Sequence, residues 1–362
     1  MSPSTVFAAS AAGTGAPERH RFAPATKVRA RAPLRLGLAG GGTDVSPYCD
    51  LYGGLVVNAT IDRYCHATVE TRDDGAVLFV APDLDRRADL ETAEMANLEL
   101  HAAVYRRLDA EFGLGTPGLT VTTWCDAPAG SGLGSSSTLV VCMVEAFREL
   151  FSLPLSEYDT ASLAFEIERK ECGLAGGRQD QYAATFGGFN LMEFGSDRTV
   201  VTRLKLQTAV VRELEASLVL YYTGASRHSA SIIKSQSEHV WAADAERIEA
   251  THALKREAMQ MRDALALGDL PAVAGILNAG WEAKKRLADG ISTDGIEAVF
   301  DAARQAGALA GKVSGAGGGG YAMLLVEPVQ RPELVRRLSD VSGGRVEPVH
   351  FVEEGAVAWV VR

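Results

Sequence analysis

The segment from Asp126 to Ser137 combines three glycines and four serines directly before an apolar run with helical spacing. Glycine lets backbone N–H groups approach a ligand closely, and the start of a helix adds unsatisfied N–H donors and the positive end of its dipole. The segment therefore favours an anion such as phosphate, with a flexible serine-capped turn as the alternative. It is not a Walker A loop, because no lysine follows the glycines at the spacing of that motif.

Two other glycine turns end in a carboxylate. Gly40-Gly41-Gly42-Thr43-Asp44 leaves room for a ligand beside its aspartate, because three adjacent glycines carry no side chains. A simple turn in which aspartate stabilises the bend is the alternative. The segment Gly173–Asp180 is a second turn of the same kind. Each turn could hold a polar ligand next to a carboxylate.

A third glycine cluster covers Lys312–Gly320. Its last six residues formally match G-x-G-x-x-G, the fingerprint of dinucleotide-binding proteins. That fingerprint needs a helix after the glycines, whereas Tyr321–Val326 is predicted to be a strand. A Rossmann-type oxidoreductase is therefore only an outside alternative.

Regular elements are predicted around these turns. Leu119–Trp124 alternates as a strand that leads into the serine-rich loop, and a helix over Thr138–Leu150 follows the loop. Ser156–Glu171 is predicted as one helix. Strands are predicted from Lys27 to about Leu38, over Leu55–Ile61 and Cys65–Thr71 on either side of Asp62-Arg63, and over Ala356–Val361.

The composition is that of an ordinary globular protein. The 362 residues carry a net charge of −10, which argues against a general nucleic-acid binder, and no apolar run is long enough to span a membrane. Five widely spread cysteines include no Cys-x-x-Cys pair, and seven histidines show no paired spacing. We therefore expect a reducing, cytoplasmic location and no structural metal site. Residues 1–26 are expected to form a disordered arm.

Taken together, Arg31–Asp44, Pro128–Ser137 and Lys312–Gly320 resemble the three motifs of the GHMP kinase family, which includes galactokinases, homoserine kinases and mevalonate kinases. The resemblance runs from about Lys27 to the C-terminus. It implies an α+β fold with an N-terminal α/β domain, set at residues 27–205, and a ferredoxin-like C-terminal domain, set at residues 206–362. ATP and the substrate would bind in the cleft between the domains.

The resemblance also implies roles for individual residues. Asp180 matches the catalytic aspartate, which either accepts or orients the acceptor hydroxyl, and Arg35 lies beside that hydroxyl. Ser136 and Glu168 match the residues that hold Mg²⁺, although Glu166 and Glu171 compete with Glu168. The expected ATP-binding residues are Pro128, Gly130, Ser131, Gly132, Leu133, Gly134, Ser135, Ser136 and Ser137. The expected substrate-binding residues are Gly41, Gly42, Thr43, Asp44, Gly177, Arg178, Arg227 and Gly317.

Within the family, the turns that carry Asp44 and Asp180 resemble most those of the bacterial D-glycero-D-manno-heptose 7-phosphate kinases. The kinase part of the L-fucokinases is a near neighbour. Both groups phosphorylate the anomeric C1 hydroxyl of a sugar, and their partners would be ATP and a small sugar or sugar phosphate rather than nucleic acid or membrane.

A substrate phosphate needs a cation distant from ATP, and we expect Arg178 and Arg227 ahead of His228 and Lys234. A surface salt bridge is the alternative for each of these four residues. A catalytically silent relative that binds sugar and ATP as a regulator is a further alternative. The oligomeric state is not readable from the sequence.

Overall fold

The computed structural model describes residues 26–115, 118–224, 229–242, 244–341 and 343–362. The predicted arm, except Thr26, lies outside these residues, as do Arg227 and His228. In the described part of the chain, no helix has the length and apolar character needed to cross a membrane.

The first sheet is built around the 18-residue strand β2, which pairs with three neighbouring strands. The strands of this sheet are β1 (Lys27–Ala39), β2 (Gly54–Thr71), β3 (Val77–Ala81), β4 (Arg86–Asp89), β5 (Leu119–Cys125), β6 (Phe189–Phe194), β7 (Thr199–Arg203) and β12 (Val357–Val360). The strand β1 runs antiparallel to β2, while β5 and β6 pair with its second and first halves. The sheet thereby presents β1 and β5, which lead into two of the glycine turns.

The two strands predicted on either side of Asp62-Arg63 are therefore one strand, and the predicted interruption is wrong. The pairing of β1 with β2 shifts register between Pro33 and Arg35, which absorbs the extra residues of β2 as a bulge. The N–H of Asp62 donates to the carbonyl of His350 at 2.9 Å. This hydrogen bond from a distant segment stabilises the polar residues Asp62 and Arg63 within the strand, so β2 continues through them.

Helices cover the first sheet and connect its strands. They are α1 (Tyr48–Tyr52), α2 (Glu99–Phe112), α3 (Ser135–Phe151), α4 (Glu157–Phe165) and α5 (Gln179–Phe186). The helix α3 packs across β1 and β2 and buries most of its side chains, among them Val140, Met143 and Phe147. The helix predicted over Ser156–Glu171 is instead α4 followed by a π-helical turn, Glu166–Glu171. Such wide turns are frequent at functional sites.

The second sheet has the strand order β11-β8-β10-β9, with every neighbouring pair antiparallel. This is the strand order of a ferredoxin-like sheet, as the sequence predicted. This sheet and the helices around it form the second unit of the protein. The elements of this unit are α6 (Thr208–Ser217), β8 (Leu218–Tyr222), α7 (Ser229–Trp241), α8 (Ala245–Leu267), α9 (Leu270–Lys285), α10 (Asp294–Gln305), β9 (Ala308–Val313), β10 (Tyr321–Val326), α11 (Arg331–Ser339) and β11 (Arg345–Glu347).

The two sheets share one continuous apolar core. Leu34 and Phe147 of the first unit belong to the same buried cluster as Leu218, Met261 and Tyr321 of the second. The last strand, β12, returns to the first sheet and pairs with β1. The domain boundary between residues 205 and 206 stays a prediction. Although β12 follows that boundary in the chain, it belongs to the sheet of the N-terminal domain.

Candidate active site

A cavity of about 270 Å³ opens between the two units, where the glycine turns meet. Thirteen of the predicted site residues line it. They are Arg35, Gly41, Gly42, Asp44, Gly130, Gly132, Gly134, Ser135, Ser136, Ser137, Glu168, Gly177 and Asp180. The cavity therefore lies in the predicted cleft and brings residues of the separate turns together.

The serine-rich loop forms one wall of the cavity and ends in the first turn of α3. Gly134 precedes this helix with a φ of 81°, a left-handed conformation that glycine adopts without strain. The first turn has no side-chain cap and no acidic side chain. Its leading N–H groups lack partners within the helix, so they and the helix dipole form an anion-binding site.

The third glycine cluster supports this loop from behind through direct backbone contacts. A Cβ on Gly132 would lie 2.5 Å from the carbonyl oxygen of Ser314, and a Cβ on Gly315 would lie 2.7 Å from Cα of Gly132. The N–H of Tyr321 donates to the carbonyl of Ser131 at 3.0 Å. The glycines at these positions are required by close packing, and the packing fixes the loop before a ligand arrives.

Arg35 from β1 and Asp180 from the first turn of α5 form an ion pair beside the loop. Nε and Nη2 of Arg35 each lie 2.7 Å from Oδ1 of Asp180, and the two side chains are 5% and 17% exposed. Nη1 of Arg35 donates to the carbonyl of Gly132 at 2.7 Å. A Cβ on Gly134 would lie 3.0 Å from the carboxyl carbon of Asp180. The two predicted catalytic side chains are thus adjacent to the anion-binding loop.

Glu168 lies in the π-helical turn, is fully buried and reaches the start of α3. Its Oε1 accepts a hydrogen bond from Ser136 Oγ at 2.6 Å, and its Oε2 accepts one from Gln181 Nε2 at 2.7 Å. Nη1 of Arg169 lies 3.1 Å from Oε1 of Glu168, and Nη2 donates to Ser137 Oγ at 3.0 Å. One carboxylate therefore joins the loop, the π-helical turn and α5.

The structure separates Glu168 from its two sequence competitors. Glu166 and Glu171 both pair with Arg107 on the outer side of the turn. Ser136 and Glu168 offer a hydroxyl and a carboxylate oxygen, which are donor types that Mg²⁺ prefers. These two residues therefore fit the metal site that the family resemblance implies.

Asp44 forms the opposite wall of the cavity and is 2% exposed. Its Oδ1 accepts from the N–H of Gly42 at 3.1 Å and from Gln179 Nε2 at 3.3 Å, and its Oδ2 accepts from the N–H of Gln179 at 3.1 Å. A Cβ on Gly177 would lie 2.6 Å from the carboxyl carbon of Asp44. The glycine turns that carry Asp44 and Asp180 are therefore in direct contact, and the absence of a side chain on Gly177 leaves space for the carboxylate of Asp44.

Arg178 does not reach the cavity, although it was a predicted ligand of a substrate phosphate. Its Nη2 lies 2.6 Å from Asp50 Oδ1, and its Nη1 donates to the carbonyl of Gly195 at 2.8 Å. The side chain is thus engaged in holding α1 against the loop after β6. Lys234 is an exposed residue of α7 whose Nζ lies 4.0 Å from Glu238 Oε1. The prediction for Arg227 and His228 falls outside the described residues.

Other predicted residues support the site without lining the cavity. Thr43 exchanges hydrogen bonds with the backbone of Leu55, and Leu133 is fully buried in the core. Ser131 is also fully buried, and Pro128 accepts from its N–H at 3.1 Å. A Cβ on Gly317 would meet Ile291 at 2.8 Å. These residues shape the turns and place others.

Two buried lysines line the cavity and were assigned no role from the sequence. Lys284 lies at the end of α9, and Lys312 lies in β9. Burial, together with the nearby charges of Lys312 and Arg35, lowers the pKa of Lys284 to about 7. Burial likewise lowers the pKa of Lys312 to about 8, while Glu257 acts against that shift. The cavity is therefore lined by several basic side chains, of which only Arg35 was assigned a role from the sequence.

The comparisons with known proteins agree with this geometry. The model for the GHMP kinases N terminal domain matches residues 99–188, and the model for GHMP kinases C terminal matches residues 261–342. The chain is 41% identical over 337 residues to D-glycero-alpha-D-manno-heptose 7-phosphate kinase of Campylobacter jejuni, which covers 92% of this chain and 98% of the relative. The chain belongs to the GHMP kinase family. This GHMP kinase has the α+β fold that the sequence predicted, and it is an ATP-dependent sugar kinase.

Two further relatives bear on the acceptor of this GHMP kinase. The crystal structure of a D-glycero-D-manno-heptose 1-phosphate kinase from Bacteroides thetaiotaomicron is 44% identical with a TM-score of 0.77, and the match covers 92% of this chain and 99% of that one. The L-fucokinase/L-fucose-1-P guanylyltransferase of Bacteroides fragilis is 27% identical over 338 residues, which cover 85% of this chain and 35% of the relative.

Proposed function

We propose that this GHMP kinase transfers the γ-phosphoryl group of ATP to the C1 hydroxyl of D-glycero-D-manno-heptose 7-phosphate. The product is the 1,7-bisphosphate, an intermediate for nucleotide-activated heptose synthesis, and the reaction takes place in the cytoplasm. The observation that carries the proposal is the Arg35–Asp180 ion pair, held between the anion-binding loop and Asp44. The 41% identity to a heptose 7-phosphate kinase supports this acceptor.

The loop and the start of α3 bind the phosphates of ATP. Gly132, Gly134 and Ser135 line the cavity, and their backbone N–H groups neutralise phosphate charge without having to reorganise. Phosphoryl transfer asks little covalent chemistry of a protein, so alignment and charge stabilisation are the main tasks. The rigid packing of this loop against the third glycine cluster serves the alignment.

Asp180 orients the acceptor hydroxyl and takes its proton as the new bond to phosphorus forms. Arg35 fixes the carboxylate of Asp180 through two contacts to Oδ1, which leaves Oδ2 for the hydroxyl. The same guanidinium group supplies positive charge next to the transferred group. Asp44 accepts hydrogen bonds from other hydroxyls of the sugar, and Gly177 leaves space for it.

Ser136 and Glu168 would hold Mg²⁺, which would neutralise charge on the ATP phosphates. The Ser136–Glu168 hydrogen bond of 2.6 Å keeps both oxygens together. Gln181 and Arg169 fix the orientation of the carboxylate. Partners of this kind commonly control how strongly a metal binds.

A panel of acceptors tests the proposal. The protein is incubated with MgATP and, separately, with heptose 7-phosphate, heptose 1-phosphate, L-fucose, galactose and mannose, and the product is followed by mass. The expected product is a heptose bisphosphate that loses one phosphate in mild acid, because anomeric phosphates hydrolyse readily. A product stable in acid would contradict transfer to C1. Turnover of L-fucose alone would favour the L-fucokinase alternative, which the 27% identity to such an enzyme supports.

A further inference from the structure

Lys284 is a buried cation that faces the cavity from the second unit. It stands in the last turn of α9, is 4% exposed, and donates a hydrogen bond from Nζ to the carbonyl of Gly315. Within the described ranges of the chain, no carboxylate oxygen lies within 4 Å of this Nζ. Transferring an unpaired ammonium group from water into a protein interior is costly. A buried lysine that lines a cavity without a carboxylate partner is therefore suited to an anionic ligand.

The neighbouring lysines are placed differently. Lys285 lies one position further along α9, where its Nζ is 2.7 Å from Glu282 Oε1 and also close to Glu297. Lys312 donates to the carbonyl of Leu38 at 3.2 Å and has the carboxylate of Glu257 acting on its charge. Lys284 thus differs from Lys285, which has a carboxylate within ion-pair distance, and from Lys312, whose charge is stabilised by Glu257.

The position of Lys284 indicates which anion it contacts. Gly315, whose carbonyl accepts this hydrogen bond, packs directly against Gly132. The Nζ of Lys284 therefore lies where the third glycine cluster contacts the anion-binding loop. The carboxylates of Asp44 and Asp180 act on the charge of the same lysine. Lys284 therefore faces both the donor and the acceptor side of the site, and the group that passes between those sides is the transferred phosphoryl group.

We propose that Lys284 is a further catalytic residue, whose ammonium group contacts the phosphoryl group during its transfer. The inference rests on the proposed function for the identity of the acceptor. In the transfer step, the acceptor oxygen bonds to the γ-phosphorus while the bond from that phosphorus to the β–γ bridging oxygen breaks. The electron pair leaves with ADP, and the hydroxyl proton passes to Asp180. The bound phosphates favour the protonated form of Lys284, which keeps its proton and stabilises the charge on the phosphoryl oxygens.

Three variants test the role of Lys284. Lys284→Met removes the charge and retains most of the volume, Lys284→Arg keeps the charge, and Lys285→Met makes the same change one position away. We expect Lys284→Met to lower kcat by about 10²–10³-fold, with Lys284→Arg restoring part of the loss. Lys285→Met should leave kcat within about threefold of wild type. Equal kcat values for Lys284→Met and wild type would overturn the proposal.

A binding measurement separates this role from a structural one. MgADP with aluminium fluoride and the acceptor mimics the transferred group, whereas a non-hydrolysable ATP analogue mimics the ground state. Titration calorimetry should show that Lys284→Met weakens the fluoride complex by about the factor lost in kcat and weakens the analogue by less than about threefold. An equal loss for both ligands, or a raised KM for the sugar with kcat retained, would overturn the proposal.

The two hypotheses fail in different ways. If the wild-type protein phosphorylates none of the heptose phosphates, the proposed function fails, and the fluoride complex formed with whichever sugar is turned over still reports on Lys284. If the wild type is active on the heptose and Lys284→Met is unimpaired, only the role of Lys284 fails. Removing a buried charge destabilises a protein mainly when it leaves a charged partner unpaired, and no carboxylate of the described residues lies within ion-pair distance of Lys284, so the variant should fold. Lys284→Gln, tested in the same two assays, replaces Lys284→Met if its thermal unfolding shows a loss of structure.

Discussion

Substitution of two adjacent glycines in the turn before α5 should affect different substrates: Gly177 the sugar and Gly176 the nucleotide. Gly177 has no left-handed φ, so alanine can adopt its backbone conformation, but the added Cβ would lie 2.6 Å from the carboxyl carbon of Asp44. The same Cβ would overlap Oδ2 of Asp44 even more closely, and ordinary contact begins at 3.4 Å, so the carboxyl group must move by about 1–1.5 Å. We expect Gly177→Ala to misplace Asp44 and to disturb the sugar rather than the nucleotide.

The expected magnitude follows from that displacement. A misplacement of about 1 Å in a positioning group can cost on the order of 100-fold in rate. In steady-state assays, kcat/KM for the sugar should fall by about that factor, while KM for MgATP stays within about twofold. Since Asp44 is 2% exposed and bonded to Gln179, relaxation into solvent is not available to it.

The adjacent substitution provides the contrast. A Cβ on Gly176 would overlap the guanidinium group of Arg169, which pairs with Glu168 and donates to Ser137. Gly176→Ala should therefore raise KM for MgATP and the required Mg²⁺ concentration. Gly275→Ala is the control, because a Cβ at this exposed position of α9 meets nothing within 4 Å. It should stabilise the protein by about 0.5–1 kcal/mol and leave both KM values unchanged.

The reasoning would be refuted if Gly177→Ala and Gly176→Ala raised the same KM. It would also be refuted if Gly177→Ala retained the wild-type kcat/KM for the sugar while its circular dichroism and unfolding midpoint matched wild type. That result would place Asp44 outside the acceptor site.

Further predictions concern single side chains. Asp180→Asn should lower kcat by about 10²–10⁴-fold and leave calorimetric binding of MgADP intact, and a near-normal kcat would exclude a catalytic role. Glu168→Gln should raise the Mg²⁺ concentration for half-maximal rate about tenfold, and an unchanged Mg²⁺ titration would remove it from the metal site. Arg178→Ala leaves Asp50 without its partner and should lower the free energy of unfolding in urea by about 1–3 kcal/mol, whereas a raised KM for the sugar phosphate without that loss would restore its predicted phosphate-binding role. Because the unfolded chain keeps a proton on Lys284 that the folded chain loses above about pH 7, this lysine should raise the free energy of unfolding towards pH 10 by at most about 1.4 kcal/mol per pH unit. Lys284→Met should remove that contribution and leave only the rise above about pH 8 that Lys312 causes.

The sequence predicted the parts of the site that local chemistry determines. Gly130–Ser137 read as an anion-binding loop because glycine, serine and a following helix lie next to one another in the chain. Arg35, Asp44 and Asp180 followed from family motifs, and the structure brings them to one cavity. The roles assigned to them remain predictions that the variants above address.

What the sequence did not reveal depends on contacts between distant segments. The polar pair Asp62-Arg63 was interpreted as a break between two strands because the partner of Asp62, His350, lies almost 290 residues away. Arg178 looked like a free cation because nothing local shows Asp50 beside it. Lys284 did leave a signal, since the buried stripe of Val273, Leu277 and Trp281 continues to it at helical spacing. A lysine that extends an apolar stripe faces the interior.

The pairing of β12 with β1 has a consequence for how the protein is made. The strand β1, which carries Arg35, emerges from the ribosome early, but its neighbour on one side is synthesised about 320 residues later. At about 5–20 residues per second, that edge stays without its partner for roughly 20–60 s. An unpaired edge of that kind is a template for association with other chains. The nascent protein therefore passes through a period in which Val28–Arg31, the part of β1 that precedes Arg35, is an open edge accessible to chaperones and to aggregation.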